Sequence, residues 1–160
     1  MRSALVVLFL FLVSGLIAAP SELTLPGDPV IHLVLDRDYK VIAIGNRDGS
    51  SAKDLRVYIL EPMDDQSSAV LALGSGGYHK TEADIAKMCE GAKVTKVDGE
   101  IAGVKTLWWH YRDSRHLYST CSVTLRDKKG KKIPAYFDLV ANTPERLAAL
   151  EDAFSKIEFY

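Results

Sequence analysis

Apolar and polar residues alternate along much of this chain, and the alternation predicts a series of short β-strands. A period of two is typical of strands that bury one face. Turn residues separate the β-rich runs, which are Val30–Leu35, Tyr39–Ile44, Leu55–Leu60, Ala69–Leu73, Val104–Tyr111, His116–Leu125 and Ile133–Val140. The first two runs flank Asp36-Arg37-Asp38, and this pattern predicts a hairpin. Residues 20–29 contain three prolines, so we expect an extended lead-in.

Two further segments carry the helical period. Thr81 is a candidate N-cap, and the residues after it place one apolar stripe at Ile85, Met88, Cys89 and Ala92. Thr143 and Pro144 begin a second helix with the stripe Leu147, Leu150 and Phe154. We therefore expect the α+β fold class, in which a central antiparallel sheet is packed by two main helices in a single domain.

The last three predicted strands have one apolar and one aromatic face. If a turn at Arg112–Arg115 joins the first two, Trp109 lies opposite Tyr118 and Tyr111 lies opposite His116. The apolar face should form the core, with Val104, Trp108, Leu117, Cys121, Val123, Leu125, Ile133, Ala135, Phe137 and Leu139.

The aromatic face is the candidate binding site. It consists of Trp109, Tyr111, His116, Tyr118 and Tyr136. Aromatic rings with polar tips suit surfaces that become covered, because the ring buries area while the tip keeps a polar partner. Two interpretations stay open: an exposed patch that binds a partner, or a face covered by a helix or by the N-terminal segment of the same chain.

The amino terminus has the pattern of a secretory signal peptide. Arg2 precedes an uncharged apolar run, and small residues follow at Ala18-Ala19. The pattern predicts a signal peptide at residues 1–19, a domain at residues 20–160 and a secreted or periplasmic location. An uncleaved anchor is the alternative, although the run is shorter than a typical membrane span. In an oxidising compartment, the two cysteines predict one disulfide between Cys89 and Cys121, the alternative being two buried free thiols.

Charge and motifs limit the chemistry. The net charge is −1, which argues against a nucleic-acid partner. The glycines at 74, 76 and 77 lack the Walker pattern around them, and the acidic pairs lack the spacing of a calcium loop. Residues 110–116 contain Ser, His and Asp, but they lie on one hairpin with the two histidines on opposite faces. We therefore expect no catalytic residue, no metal and no cofactor.

The order of elements from Thr81 to Tyr160 gives a resemblance. A helix, three antiparallel strands and a C-terminal amphipathic helix follow one another, and Ala141-Asn142-Thr143-Pro144 leads into the last helix. This half of the chain resembles the PsbP-like α/β/α sandwich group in topology. The resemblance implies a central antiparallel sheet with helices on its faces and an accessory or binding role without catalysis.

These observations favour a secreted or periplasmic, non-enzymatic binding or accessory domain that uses its aromatic sheet face. Its partner would be an unidentified protein. One alternative is an envelope carrier of a small apolar ligand, which needs an enclosed apolar cavity. Another is a small hydrolase that uses His116 or His110, which needs a nucleophile within hydrogen-bond reach of the histidine.

Overall fold

Two antiparallel sheets dominate the structure. The computed structural model describes residues 20–45, 55–62, 67–74, 80–89 and 92–160. Strands account for 56% of these residues and helices for 16%, so the α+β prediction with two main helices is wrong and the protein is mainly a β-sandwich. The predicted signal peptide at residues 1–19 and the glycine-rich segment at 75–77 lie outside the described residues.

The larger sheet has seven strands in the order β3-β4-β5-β9-β8-β7-β6. Its strands are β3 (Tyr39–Gly45), β4 (Arg56–Pro62), β5 (Ser68–Leu73), β6 (Thr95–Ile101), β7 (Val104–Arg112), β8 (Leu117–Arg126) and β9 (Lys132–Ala141). The smaller sheet has the order β1-β2-β10, with β1 (Ser21–Leu25), β2 (Ile31–Leu35) and β10 (Glu158–Phe159). The helices are α1 (Glu82–Met88) and α2 (Pro144–Ser155).

The core lies between the inner face of the seven-stranded sheet, helix α2 and the smaller sheet. The predicted apolar face of the last three strands is confirmed as part of this core, since Trp108, Cys121 and Phe137 are buried in it. Leu147, Leu150 and Phe154 of α2 face the same cluster, as the helical stripe predicted. Leu33 and its neighbours on the smaller sheet close the core from the other side.

Hydrogen bonds to main-chain carbonyls tie the two sheets together. The Tyr58 hydroxyl donates to the Pro26 carbonyl at 2.6 Å, and the Arg56 guanidinium donates to the Pro29 carbonyl at 3.1 Å. Val30 and Tyr160 exchange two main-chain hydrogen bonds of 2.9 and 2.8 Å, which hold the C-terminal residue beside the smaller sheet. The residues up to Tyr160 are therefore hydrogen-bonded to the smaller sheet.

Two local predictions are corrected. The runs after Val30 and Tyr39 do not form a hairpin, because β2 pairs with β1 and β10 whereas β3 pairs with β4. Helix α1 begins after the Thr81 N-cap, as predicted, but the expected buried stripe is wrong. Within the helix only Ile85 is buried, and Met88 is 57% exposed. The role expected of a second packing helix is taken by the smaller sheet.

The hairpin of β6 and β7 ends in a two-residue turn that is held against α2. Ala102 and Gly103 have φ values of 49° and 77°, as a tight β-hairpin turn requires. The Ala102 amide donates to the Ser155 carbonyl at 3.0 Å, at the end of α2, and Ile101 is fully buried. The tip of this hairpin is therefore held toward the inner side of the sheet.

Among the described residues, no helix is long and apolar enough to cross a membrane.

Gly99 gives a test of this hairpin. A Cβ atom at this position would lie 2.4 Å from Cδ1 of Trp108, whose indole packs across the glycine. We expect Gly99→Ala to destabilise the fold by about 2 kcal/mol, because the buried ring has to move. Glu100→Ala, an exposed neighbour on the same strand, is the matched control. Urea unfolding of both variants measures the effect, and equal stabilities would contradict the packing of Trp108 on Gly99.

Candidate functional site

The carboxylate of Asp113 fixes the turn between β7 and β8. Its Oδ1 accepts hydrogen bonds from the amides of Arg115 and His116, both at 2.7 Å, and its Oδ2 accepts one from the Tyr118 hydroxyl at 2.7 Å. The turn therefore draws His116 out of the strand. As a result Tyr111 lies opposite Tyr118, and the predicted pairings of Tyr111 with His116 and of Trp109 with Tyr118 are wrong.

The register differs from the predicted one by two residues, so each side chain stays on its predicted face. We call the face of the seven-stranded sheet that points away from the core the outer face. Tyr111 and Tyr118 stack on this face, with ring centroids 4.9 Å apart and planes 1° apart. His116 meets Tyr118 edge-on at 6.2 Å. Trp109 lies opposite Thr120, further along the same strands.

The five predicted binding residues do not form one site. Tyr111 and Tyr136 are each only 4% exposed, so the aromatic face is not a continuous open patch. Tyr118 and His116 are partly exposed and belong to the turn held by Asp113. Trp109, also partly exposed, and Tyr136 border a separate cavity. The face is thus covered at one end and open at the other.

The open end is a cleft between β7 and β8. These strands pair only from Trp109 to Arg112 and from Leu117 to Thr120. Beyond that point β7 continues to pair with β6, and β8 continues to pair with β9 along its whole length. The first half of β7 and the second half of β8 line an open cleft with a volume of about 750 Å³. We call this volume the ladder cleft.

The walls of the ladder cleft combine apolar surface with hydroxyl groups. The apolar part is Val104, Leu107, Trp109, Val123 and Tyr136. Hydroxyl groups come from Thr106, Thr120, Ser122 and Thr124. The charged members are Lys80, Lys105 and Asp98. A concave, largely apolar site with a few polar groups is typical of ligand-binding pockets, and the volume lies in their usual range.

Trp109 is held at the rim of the ladder cleft by a lysine. The Lys96 ammonium lies 5.0 Å from the centre of the Trp109 ring, and it also pairs with Glu82 of α1 at 2.6 Å. The cation over one face of the indole favours a fixed ring orientation. Together with its partial exposure, this contact leaves Trp109 ordered and available to a ligand.

A buried ion pair covers the other end of the aromatic face. Lys80, just before α1, bonds to the Asp138 carboxylate and lies 3.3 Å from the Tyr111 hydroxyl. The side chains of Lys80 and Asp138 are 18% and 13% exposed. Burial raises the pKa of Asp138, and the neighbouring ammonium opposes that rise only in part. Burial and the Asp138 carboxylate also raise the pKa of Tyr111 above its ordinary range.

The predicted disulfide is not formed in the structure. Cys89 and Cys121 are both free thiols and do not lie within bonding distance. Cys121 belongs to the core on the inner face, whereas Cys89 lies near Asp113 and Asp138 on the outer side of the same sheet. The sheet therefore separates the two sulfur atoms. Burial raises the pKa of the Cys121 thiol to about 12, as expected for an inert core thiol.

His110 and His116 each lie beside a carboxylate. His110 Nε2 lies 2.7 Å from Glu151 Oε1, and Ser119 lies opposite His110 in the ladder. However, Ser119 is fully buried, and its hydroxyl has no hydrogen-bond partner in the described part of the chain. His116 lies near Asp113, with 3.7 Å between Nδ1 and Oδ1. Among the described residues, no hydrogen bond joins either histidine to a nucleophilic side chain, and the hydrolase alternative stays a prediction.

Within the described ranges, no group of three or more His, Cys, Asp or Glu side chains is placed to hold a metal ion. Comparison of the chain with protein-family models, with curated proteins and with solved structures finds no match.

Sequence reasoning did not identify the charged residues of the site. Asp138 is an isolated acid within the apolar run Ile133–Val140, and this departure from the pattern was the available signal. Its partner Lys80 lies 58 residues earlier, and local spacing gives no indication of that contact. Asp98 borders the cleft only because β6 pairs with β7, where Asp98 lies opposite Leu107.

The turn at Asp113 predicts a pH effect on stability. Its amide and hydroxyl donors, first among them the Arg115 amide, lower the pKa of Asp113 from 3.8 to about 2. The ionised carboxylate therefore stabilises the fold above pH 4, and this contribution is lost as the pH falls towards 2. We expect Asp113→Ala to lower stability at neutral pH and to flatten its decline between pH 4 and 2.

Tyr118→Phe, which removes one of the three donors, should give an intermediate slope. Urea unfolding at several pH values measures both variants. A decline in Asp113→Ala as steep as in the unaltered chain would rule out this carboxylate as its source.

The ion pair predicts strong coupling between its two members. Lys80→Met leaves the Asp138 carboxylate buried beside Tyr111 without its cation, and we expect a loss of about 3 kcal/mol in the free energy of unfolding. Lys80→Met combined with Asp138→Leu should recover most of this loss, because no buried charge remains. Urea unfolding of the singles and the double gives the coupling. A double variant whose loss equals the sum of the singles would contradict a direct interaction.

Proposed function

We propose that this chain is an exported, non-enzymatic binding domain that holds an apolar group of its ligand in the ladder cleft. The observation that carries the proposal is the cleft itself, about 750 Å³ between β7 and β8 with Trp109 and Tyr136 in its walls. The signal-peptide pattern at residues 1–19 supports export. The resemblance to the PsbP-like group stays a prediction, and it agrees with a binding role.

The proposal narrows the aromatic face to part of its predicted residues. Trp109 contacts the ligand together with Leu107, which is 47% exposed, whereas the buried Tyr136 only borders the cleft. Tyr111 has a structural role beneath Lys80, and Tyr118 supports the turn with His116. An exposed apolar surface in a concave site favours binding of an apolar group, because binding removes both apolar surfaces from water.

The absence of an activated nucleophile among the described residues favours binding over hydrolysis. The carrier alternative requires an enclosed cavity. The high exposure of Leu107 favours a cleft that is open to solvent, so that a ligand larger than the cleft can extend beyond it.

A neutral apolar dye, N-phenyl-1-naphthylamine, tests the cleft directly because its fluorescence rises in an apolar site. We expect the unaltered chain to bind the dye and Trp109→Ala to bind it at least tenfold more weakly, since an indole contributes a large apolar contact. Tyr160→Ala is the control, because Tyr160 is an exposed aromatic residue outside the cleft.

Thermal unfolding followed by circular dichroism accompanies the dye titration. Equal dye affinity in the unaltered chain and in Trp109→Ala, or no binding by either, would contradict the proposal. Loss of folding in Trp109→Ala would instead place the indole in the core, and the proposed site would then be wrong.

A further inference from the structure

We propose that the turn between β8 and β9 attaches this protein to an anionic lipid surface. The segment from Arg126 to Lys132 holds five basic residues and one acid, whereas the whole chain has 20 basic and 21 acidic residues. Positive charge is therefore concentrated on one turn of a slightly acidic chain. The inference goes beyond the proposed function and does not depend on it. The basic residues of this turn, which we call the basic turn, are Arg126, Lys128, Lys129, Lys131 and Lys132.

The five cations of the basic turn are available to a partner, since all five residues are exposed. Among the described residues, none of them forms an ion pair with a carboxylate. Arg126 donates a hydrogen bond to the Gly130 carbonyl at 3.3 Å, and the Lys128 ammonium lies 4.0 Å from the centre of the Tyr160 ring. Neither contact neutralises the charge of the cation.

The single acid of the segment holds the main chain of the turn. Asp127 Oδ1 accepts hydrogen bonds from the amides of Lys129 and Lys131, at 2.9 and 2.8 Å, and Gly130 has a φ of 79°. These contacts use the amides of the two lysines and leave their ammonium groups unpaired. A turn that is already ordered presents its cations together, so binding costs less conformational entropy than it costs a disordered basic tail.

The composition of the basic turn favours a lipid surface over a site for one phosphate group. Four of the five cations are lysines, which act as point charges, whereas arginine is the residue that binds a phosphate in bidentate geometry. No residue of the turn lines the ladder cleft, so the cations lie on an open surface. Clusters of about four to eight basic residues are typical of segments that bind anionic lipids.

An exposed aromatic residue lies beside these cations. Tyr160 is 52% exposed, and Lys128 covers one face of its ring. The Tyr160 hydroxyl donates to the Glu158 carboxylate, so this neighbouring acid already has a partner. Tyrosine is common at membrane–water interfaces, because its ring is apolar while its hydroxyl keeps a polar partner.

The basic turn lies at the cleft end of the outer face. Arg126 pairs with Lys132, and it lies two residues beyond Thr124, which lines the ladder cleft. Residues two apart share a face of a strand, so Arg126 and Lys132 belong to the outer face. Attachment through the turn therefore brings the open end of this face close to the lipid surface.

Co-sedimentation with lipid vesicles tests the attachment. The probes are vesicles of phosphatidylcholine alone and vesicles that mix phosphatidylcholine equally with phosphatidylglycerol. We expect the unaltered chain to sediment only with the anionic vesicles, and to be released at about 1 M salt, where the Debye length falls to about 3 Å. Absence of binding, or equal binding to both kinds of vesicle, would overturn the proposal.

A triple variant with Lys128→Gln, Lys129→Gln and Lys131→Gln locates the contact. Each lysine near an anionic surface strengthens binding about fivefold, so the loss of three should weaken vesicle binding about a hundredfold. The Asp127 hydrogen bonds use main-chain amides, so we expect the turn to form as before. Circular dichroism of the variant checks that the fold is retained.

The matched control replaces three exposed lysines outside the turn. Lys40→Gln, Lys87→Gln and Lys93→Gln together change the net charge by the same amount. We expect this control to weaken vesicle binding by at most a few-fold. Equal losses in the two triple variants would mean that net charge alone acts, and they would contradict a contact through the basic turn.

A nucleic acid is another polyanion that attracts clustered lysines. A labelled single-stranded oligonucleotide, titrated at the salt concentration of the vesicle assay, distinguishes this partner. We expect no binding, and oligonucleotide binding that is lost in the basic-turn variant would overturn the lipid assignment. Dye binding in the ladder cleft should be the same in the basic-turn variant and in the unaltered chain, so the proposed function and the lipid attachment can fail separately.

Discussion

The hydrogen bond from the Ala102 amide to the Ser155 carbonyl holds the β6–β7 hairpin against the end of α2, and the shape of the outer face depends on this restraint. Burial of Ile101 in the core acts in the same direction. Because α2 lies on the inner side of the sheet, the hairpin tip is held toward that side. The ladder between β7 and β8 ends at Trp109 and Thr120, and residues of both strands beyond that point line the cleft.

At the other end of the same two strands, Asp113 keeps the ladder closed. Its carboxylate holds the turn and positions Tyr118 against Tyr111, and Lys80 covers Tyr111 from above. The two ends of one strand pair thus serve different purposes. The closed end holds an ion pair and stacked rings, whereas the open end leaves Trp109 partly exposed. Rigid support beside an open site is the usual arrangement for a binding surface.

The sequence predicts the buried faces well because burial follows the period of two. Cys121, Phe137 and Leu139 lie on the predicted inner face, and the turn at Asp113 shifts the register by an even number of residues, which preserves the faces. Local capping signals were sufficient as well, since Thr81 and Thr143 begin the two helices. These predictions depend on neighbouring residues alone.

The failed predictions depend on contacts between distant residues. In strand β6, Lys96, Asp98 and Glu100 alternate with Val97, Gly99 and Ile101, but the glycine weakens the apolar half of the pattern. The disulfide prediction assumed that Cys89 and Cys121 lie on the same side of the sheet, which only the position of α1 determines. The cleft could not be predicted, because no residue pattern indicates where the ladder between β7 and β8 ends.

Where the β7–β8 ladder ends, a side-chain contact still joins the two strands. The Thr106 hydroxyl donates to the Ser122 carbonyl at 3.5 Å, beyond the last paired residues. Proteins use charges and local contacts of this kind to limit unintended strand pairing. Lys105 and Asp98 lie beside the same cleft. The surface that the cleft offers to a ligand is therefore made of side chains, among which Leu107 is exposed and Trp109 partly exposed.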